Sequence, residues 1–152
     1  MASIVALSGT KGGTGKSTLS HLVAHGAGSL PKPVPAVVLI TDPEDHIVAG
    51  NRRYVVMDAR NPGVLANRLE ELMADEHLLI VIDGAANQRD IDEIIAELAT
   101  LVVIPFGPSQ QDADRALANL ATYKKGVVLP NRWPPHKQTV ARVKKYRYCP
   151  GG

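Results

Sequence analysis

Residues 3–18 read Ser-Ile-Val-Ala-Leu-Ser-Gly-Thr-Lys-Gly-Gly-Thr-Gly-Lys-Ser-Thr. The run from Ser3 to Ser8 is short and apolar and ends in a glycine-rich turn. Beyond it, Leu19, Leu22 and Val23 fall on one face of a helical pattern. The order is strand, loop, helix. That is the setting a phosphate-binding loop requires. Gly12, Gly13 and Gly15 let backbone N–H groups turn toward phosphate oxygens, and the helix N-terminus adds its positive end. Lys16 supplies a mobile cation for the outer phosphates, and the Ser17 hydroxyl can ligate Mg²⁺. The general pattern asks for glycine at position 10, where this chain has Thr10. A glycine-rich turn with incidental lysines is the plain alternative.

Further apolar runs occupy Ala36 to Thr41, Tyr54 to Asp58, Leu78 to Asp83, Leu101 to Pro105 and Gly126 to Leu129. They are nearly continuous rather than alternating, as strands covered on both faces are. Helical patterns lie between the later runs: Leu65, Leu69, Leu72 and Met73; Ile91, Ile94, Ile95 and Leu98; Ala113, Ala116, Leu117 and Leu120. Strands alternating with helices predict a three-layer α/β fold on a mostly parallel sheet, with right-handed crossovers and ligands at the carboxyl ends of the strands. The pattern fails after Asn131, where Trp133-Pro134-Pro135 interrupts it. Residues 1–131 therefore read as one domain and residues 132–152 as a basic tail, short or truncated.

With 152 residues, 45% hydrophobic and 21% charged, the chain has the composition of an ordinary globular domain. No apolar run approaches the ~18 residues of a membrane helix, and the N-terminus lacks the layout of a secretory signal, so a cytoplasmic protein is expected. The single cysteine, Cys149, cannot form an internal disulfide and cannot by itself supply a zinc or iron–sulfur ligand set. Aromatic residues at 4% argue against a base-stacking platform for single strands. The net charge of +2 hides an asymmetry: residues 1–123 hold 9 Lys and Arg against 15 Asp and Glu, whereas residues 124–152 hold 8 basic residues and no acidic one. A basic stretch on an acidic body suits a polyanion, either DNA or an anionic membrane face, or it is a solvated tail. His21 and His25, four apart on the first helix, have no third ligand in view. Arg52 and Arg53 read as a solvated loop pair or as a phosphate contact.

Lys11 is not needed for ordinary phosphate cradling, and with Lys16 it makes the pattern Lys-Gly-Gly-x-Gly-Lys-Ser-Thr. This resembles the deviant Walker A loop of the ParA/MinD superfamily. The resemblance implies that Lys11 reaches across a nucleotide-sandwiched dimer to the partner's ATP; a solvent-facing loop lysine is the alternative. Val37 to Glu44 is similar to the family's strand ending in Asp-x-Asp-Pro-Gln, with Ile40 in place of the first aspartate and Glu44 in place of the glutamine. The resemblance places Asp42 beside Mg²⁺ and the attacking water. Leu79 to Gly84 looks like the Walker B strand, with Asp83 toward the Mg²⁺ shell. Leu101 to Pro105 with Gly107-Pro108-Ser109 resembles the family's next strand and Pro-Ser loop. Asn131 falls where the family has an adenine-binding asparagine, a plain loop role being the other reading.

The implied site is thus Lys11, Gly12, Gly13, Thr14, Gly15, Lys16, Ser17, Thr18 and Asn131 for ATP. Ser17, Asp42 and Asp83 would hold Mg²⁺, and Lys11, Lys16 and Asp42 would act in catalysis. The implied function is that of a small plasmid-partition ATPase, nucleoid-associated and with no membrane partner. It would form a homodimer with Mg-ATP, bind DNA non-specifically and meet a centromere-binding, ParB-like partner that stimulates slow hydrolysis. A small-molecule kinase or ligase on the same fold, or a nucleotide-dependent interaction module with little hydrolysis, are the competing readings.

Overall fold

The structure, a computed structural model, describes residues 1–43, 50, 52–86 and 88–131. Glu44, Trp133-Pro134-Pro135, the basic stretch beyond and Cys149 lie outside the described residues. The chain runs β1 (Ser3–Leu7), α1 (Lys16–Ala27), β2 (Ala36–Ile40), β3 (Val55–Asp58), α2 (Pro62–Leu72), β4 (Leu79–Asp83), α3 (Arg89–Leu98), β5 (Leu101–Phe106), α4 (Gln110–Leu120) and β6 (Gly126–Pro130). The strands form one sheet in the order β3-β2-β4-β1-β5-β6. Every pairing is parallel, so the sheet is wholly rather than mostly parallel.

Parallel strands need crossovers, and the crossovers supply the cover that the apolar runs require. The faces are covered unequally. Leu65 and Leu69 of α2, Ile91 and Ile95 of α3, and Ala113 and Ala116 of α4 pack on one face with Ile4, Ala6, Leu39, Ile82 and Ile104. Ala24 and Ala27 of α1 cover the other with Leu7, Val38, Ile40 and Val81. Leu65 and Leu69 are fully buried, and truncating either to alanine costs about 2–5 kcal/mol in such cores.

Helix α1 departs from its expected face. Leu22 is 60% and Val23 36% exposed, while Lys16, Ser20, Ala24 and Ala27 are buried. The phosphate loop fixes the helix's rotation by turning Lys16 inward, and the residues one and two turns on must follow it. Because these are small, α1 lies close to the sheet; of the expected apolar face, only Leu19 packs against the core.

Local chemistry sets the boundaries of α2 and α4. Asn61 Oδ1 accepts from Gly63 N and Val64 N ahead of α2, with Pro62 at its first turn. Ser109 Oγ accepts from Asp112 N at the start of α4. At the end of β3, Asp58 accepts from Arg60 Nε at 2.9 Å and Arg60 Nη2 at 2.6 Å. These bonds pull the Asp58 pKa down to about 2. A lowered carboxylate pKa favours the fold above the unfolded value and is lost as pH falls toward the folded one. The pair should therefore persist at pH 4 and dissolve near pH 2. An NMR titration of Asp58 checks this, and Arg60→Ala should return Asp58 to the ordinary carboxylate range.

Candidate nucleotide-binding site

The site sits at the carboxyl ends of the two central strands. Leu7 is in register with Asp83, and Ile40 pairs with Asp83 from the other side, so the ends of β1, β2 and β4 lie at one level. The loop leaving β1 carries positive φ at Gly9 (142°), Gly13 (73°) and Gly15 (92°). Side chains are strained in that region, so these turns depend on glycine. Gly15 is the N-cap of α1 and offers no side-chain cap, leaving the first-turn N–H groups for a ligand. A cavity of about 230 Å³ opens there, lined by Gly12, Gly13, Gly15, Lys16, Ser17, Thr18, Asp42 and Ala86.

Lys16 is 8% exposed, and its Nζ donates to the Lys11 carbonyl at 2.9 Å. Burial pushes its pKa down, opposed by the charges of Asp83, Asp42 and Asp92. Lys16 is thus a buried amine within the field of three carboxylates, with its Nζ resting on a backbone carbonyl of the loop.

Lys11 faces elsewhere. Its Nζ donates to Asp112 Oδ1 of α4 at 2.6 Å, and the side chains are 46% and 8% exposed. The Lys11 hydrogen bond is the main cause that lowers the Asp112 pKa. A second tie lies beside it, Asn119 Nδ2 donating to Thr10 Oγ1 at 3.1 Å. The leading edge of the loop is therefore docked on α4 of its own chain. Gly107 makes room for this, since a Cβ there would lie 2.6 Å from Asp112 Oδ2.

Asp42 and Ser17 share the cavity wall. Asp83 lies behind it, buried at 1% exposure, with Oδ1 accepting from Ser20 Oγ at 3.2 Å. Among the described residues no cluster of three His, Cys, Asp or Glu forms. A hydroxyl and a carboxylate on the wall, with a second carboxylate behind, fit a Mg²⁺ ion whose remaining ligands are phosphate oxygens and water.

Asn131, expected at adenine or in a plain loop, donates from Nδ2 to the Thr14 carbonyl at 2.8 Å, tying the end of β6 to the phosphate loop. His21, on α1, meets the Tyr54 hydroxyl at 2.8 Å, and Arg53 Nη1 donates to the Gly28 carbonyl at 3.3 Å.

Several supporting residues were not foreseen from the sequence. Thr41 Oγ1 donates to the Asp83 carbonyl at 2.7 Å and accepts from Ala85 N at 2.9 Å, bolting the end of β2 to the end of β4. Ser20 was hidden in a helical run. Ser8, Asp92 and Tyr123 form a polar knot at the end of β1, with Ser8 Oγ 2.8 Å from the Tyr123 hydroxyl and 3.2 Å from Asp92 Oδ1. Burial raises the pKa of both Asp92 and Tyr123. The available signal was a polar residue closing an apolar run, as at Thr41 and Ser8.

No protein-family model matches the chain, and no curated protein sequence is significantly similar to it. Solved structures are similar in fold. An ATP complex of a McdA variant from Cyanothece superposes with a TM-score of 0.66 at 14% identity, covering 96% of this chain and 78% of that one. MinD from Aquifex aeolicus gives 0.70 at 17% identity, covering 93% and 73%. A ParA family ATPase from Chlorobium tepidum gives 0.73 at 13% identity, covering 96% and 81%. With its parallel sheet, its glycine-rich loop at the sheet's carboxyl end and these superpositions, the chain has the P-loop α/β fold of the ParA- and MinD-type ATPases.

Proposed function

We propose that this chain is a ParA/MinD-type positioning ATPase. It binds ATP with Mg²⁺ in the loop cavity and dimerises in that state. It then holds DNA without regard to sequence through the basic residues 132–152, and lets go when a ParB-like, centromere-binding partner stimulates a slow hydrolysis. The observation that carries this reading is the division of labour between two lysines. Lys16 lines the phosphate cavity; Lys11 does not, and stands half-exposed on Asp112 instead. A cation so placed adds little to its own chain's cradle, yet it can serve a second chain's phosphates once it leaves Asp112.

In this mechanism the loop N–H groups and Lys16 bind the phosphates. Asp42 would orient a water from the cavity wall, and Ser17, Asp42 and Asp83 would hold the metal. When bound, Mg²⁺ neutralises charge on the outer phosphate oxygens. No described residue at the cavity is a strong general base, which favours catalysis by charge stabilisation and positioning.

Lys11→Gln tests the reading. ADP affinity, by calorimetry, should change little because the cradle stays intact. The ATP-dependent doubling of mass by light scattering should disappear, and hydrolysis should fall on the order of a hundredfold, as for loss of one preorganised donor. Running the sizing with and without DNA distinguishes a positioning ATPase from an interaction module. The kinase reading is favoured by one observation, a cavity of about 410 Å³ at the starts of α2 and α3, lined by Arg60, Gln88 and Arg89 among others. Normal dimerisation and turnover in Lys11→Gln would return the lead to it.

A further inference from the structure

The outer surfaces of α2 and α3 meet in a groove that no described element covers. Its cavity is about 440 Å³ and is lined by Ala66, Glu70, Met73, Ile94, Glu97 and Leu98. Met73, Ile94 and Leu98 are half-buried there, packed on the core from beneath. The floor is apolar, and α2 and α3 each place one exposed glutamate in the lining, Glu70 and Glu97. The charge around it is lopsided. Residues 62–98 hold nine of the chain's 15 acidic residues and only two basic ones, Arg68 and Arg89. Arg68 is already engaged with Glu71 at 3.0 Å.

The complementary chemistry is carried by the same chain. Residues 132–152 hold six basic residues and no acidic one, and between positions 140 and 148 Val140, Val143, Tyr146 and Tyr148 interleave with Arg142, Lys144, Lys145 and Arg147. Such a segment brings apolar side chains for the floor and cations for the walls. It is also long enough. The 21 residues after Asn131 can extend over roughly 70 Å, whereas the six strands are about 24 Å from edge to edge. We propose that the α2–α3 groove is the docking surface for this chain's own basic segment, residues 137–149, with Val143 and Tyr146 on the apolar floor and the flanking cations against Glu70 and Glu97. The proposal goes beyond the ATPase reading and stands whether or not the chain hydrolyses ATP. Where the segment also meets DNA, groove and polyanion compete for the same cations.

Cys149 is the chain's single cysteine, so a nitroxide attached to it in the full chain reports where the segment rests. At low salt, the amide signals of Ala66, Glu70, Ile94 and Leu98 should lose more than half their intensity to the label, while those of α1 keep theirs. The charge-reversed full chain, Glu70→Lys with Glu97→Lys, alters only exposed positions and should restore the signals. About 0.5 M salt, where the screening length is roughly 4 Å, should restore them in part. A second chain, Val143→Ser with Tyr146→Ser, leaves the groove untouched and should restore the signals as well. Three results would overturn the proposal: no broadening at the groove, broadening centred instead on β5 and β6, or broadening at the groove that reappears when spin-labelled chains without ¹⁵N are mixed with ¹⁵N-labelled Cys149→Ser chains. The last would assign the groove to a second copy's segment.

Discussion

Lys16→Ala is expected to weaken the binding of ATP with Mg²⁺ by at least about a hundredfold, measured by calorimetry. Truncating one partner of a buried, hydrogen-bonded charge pair costs about 2–5 kcal/mol, and the upper part of that range applies where no second cation can substitute. Here none can. Lys11 is held by Asp112 outside the cavity, and the remaining wall is glycine backbone, two hydroxyl residues, Asp42 and Ala86. Without Lys16 this chain would offer the triphosphate only N–H dipoles beside the metal, with Asp42 on the same wall. The fold itself should survive, since the variant also removes a cation held in a desolvated place. Near-normal affinity would show that the phosphate cradle lies elsewhere.

Gly84→Ala should be the most destructive single methyl group in the molecule's centre. Gly84 N donates to the Leu7 carbonyl at 2.8 Å, and a Cβ at Gly84 would sit 2.3 Å from that same oxygen. The obstacle is backbone of the central strand, which cannot swing aside as a side chain would. Overpacking of this kind costs about 3 kcal/mol, a fall in melting temperature of roughly 10 °C for a chain of this size. Gly26→Ala is the matched control, because nothing lies within 4 Å of its Cβ position and alanine is the better helix former by roughly 0.5–1 kcal/mol. Equal melting temperatures for the two variants would show that the ends of β1 and β4 yield more easily than their bonding suggests.

The architecture was legible because each strand is an apolar run with a chemical stop, and the helices α2 to α4 turn most of the residues their periodicity names toward the core, Leu117 of α4 at 38% exposure being the exception. The loop was legible from Lys11 to Thr18 because glycine spacing and two lysines leave few other uses. What could not be read was rotation and direction. The face of α1 is dictated by Lys16 turning inward, so Leu22 and Val23 lie outward although they are its more apolar members. The direction of Lys11 depends on Asp112, 101 residues away, and no local pattern links them. Thr41, Ser20 and Tyr123 act through partners in other elements, and such pairings exist only once the sheet order is known.

The bond from Asn131 to the Thr14 carbonyl joins positions 117 residues apart, and it bears on how this protein is made. β1 precedes the other described strands in the chain, yet its neighbours in the sheet are β4 and β5, so it waits unpaired until at least β4 has been made. The phosphate loop waits longer still, for its last strut is the final described residue after β6. Long-range pairings of this kind slow folding and leave apolar strands exposed meanwhile. The nucleotide pocket therefore cannot reach its finished form on a nascent chain shorter than 131 residues. The loop near the start of the described chain thus takes its last strut from a residue made 117 positions after Thr14.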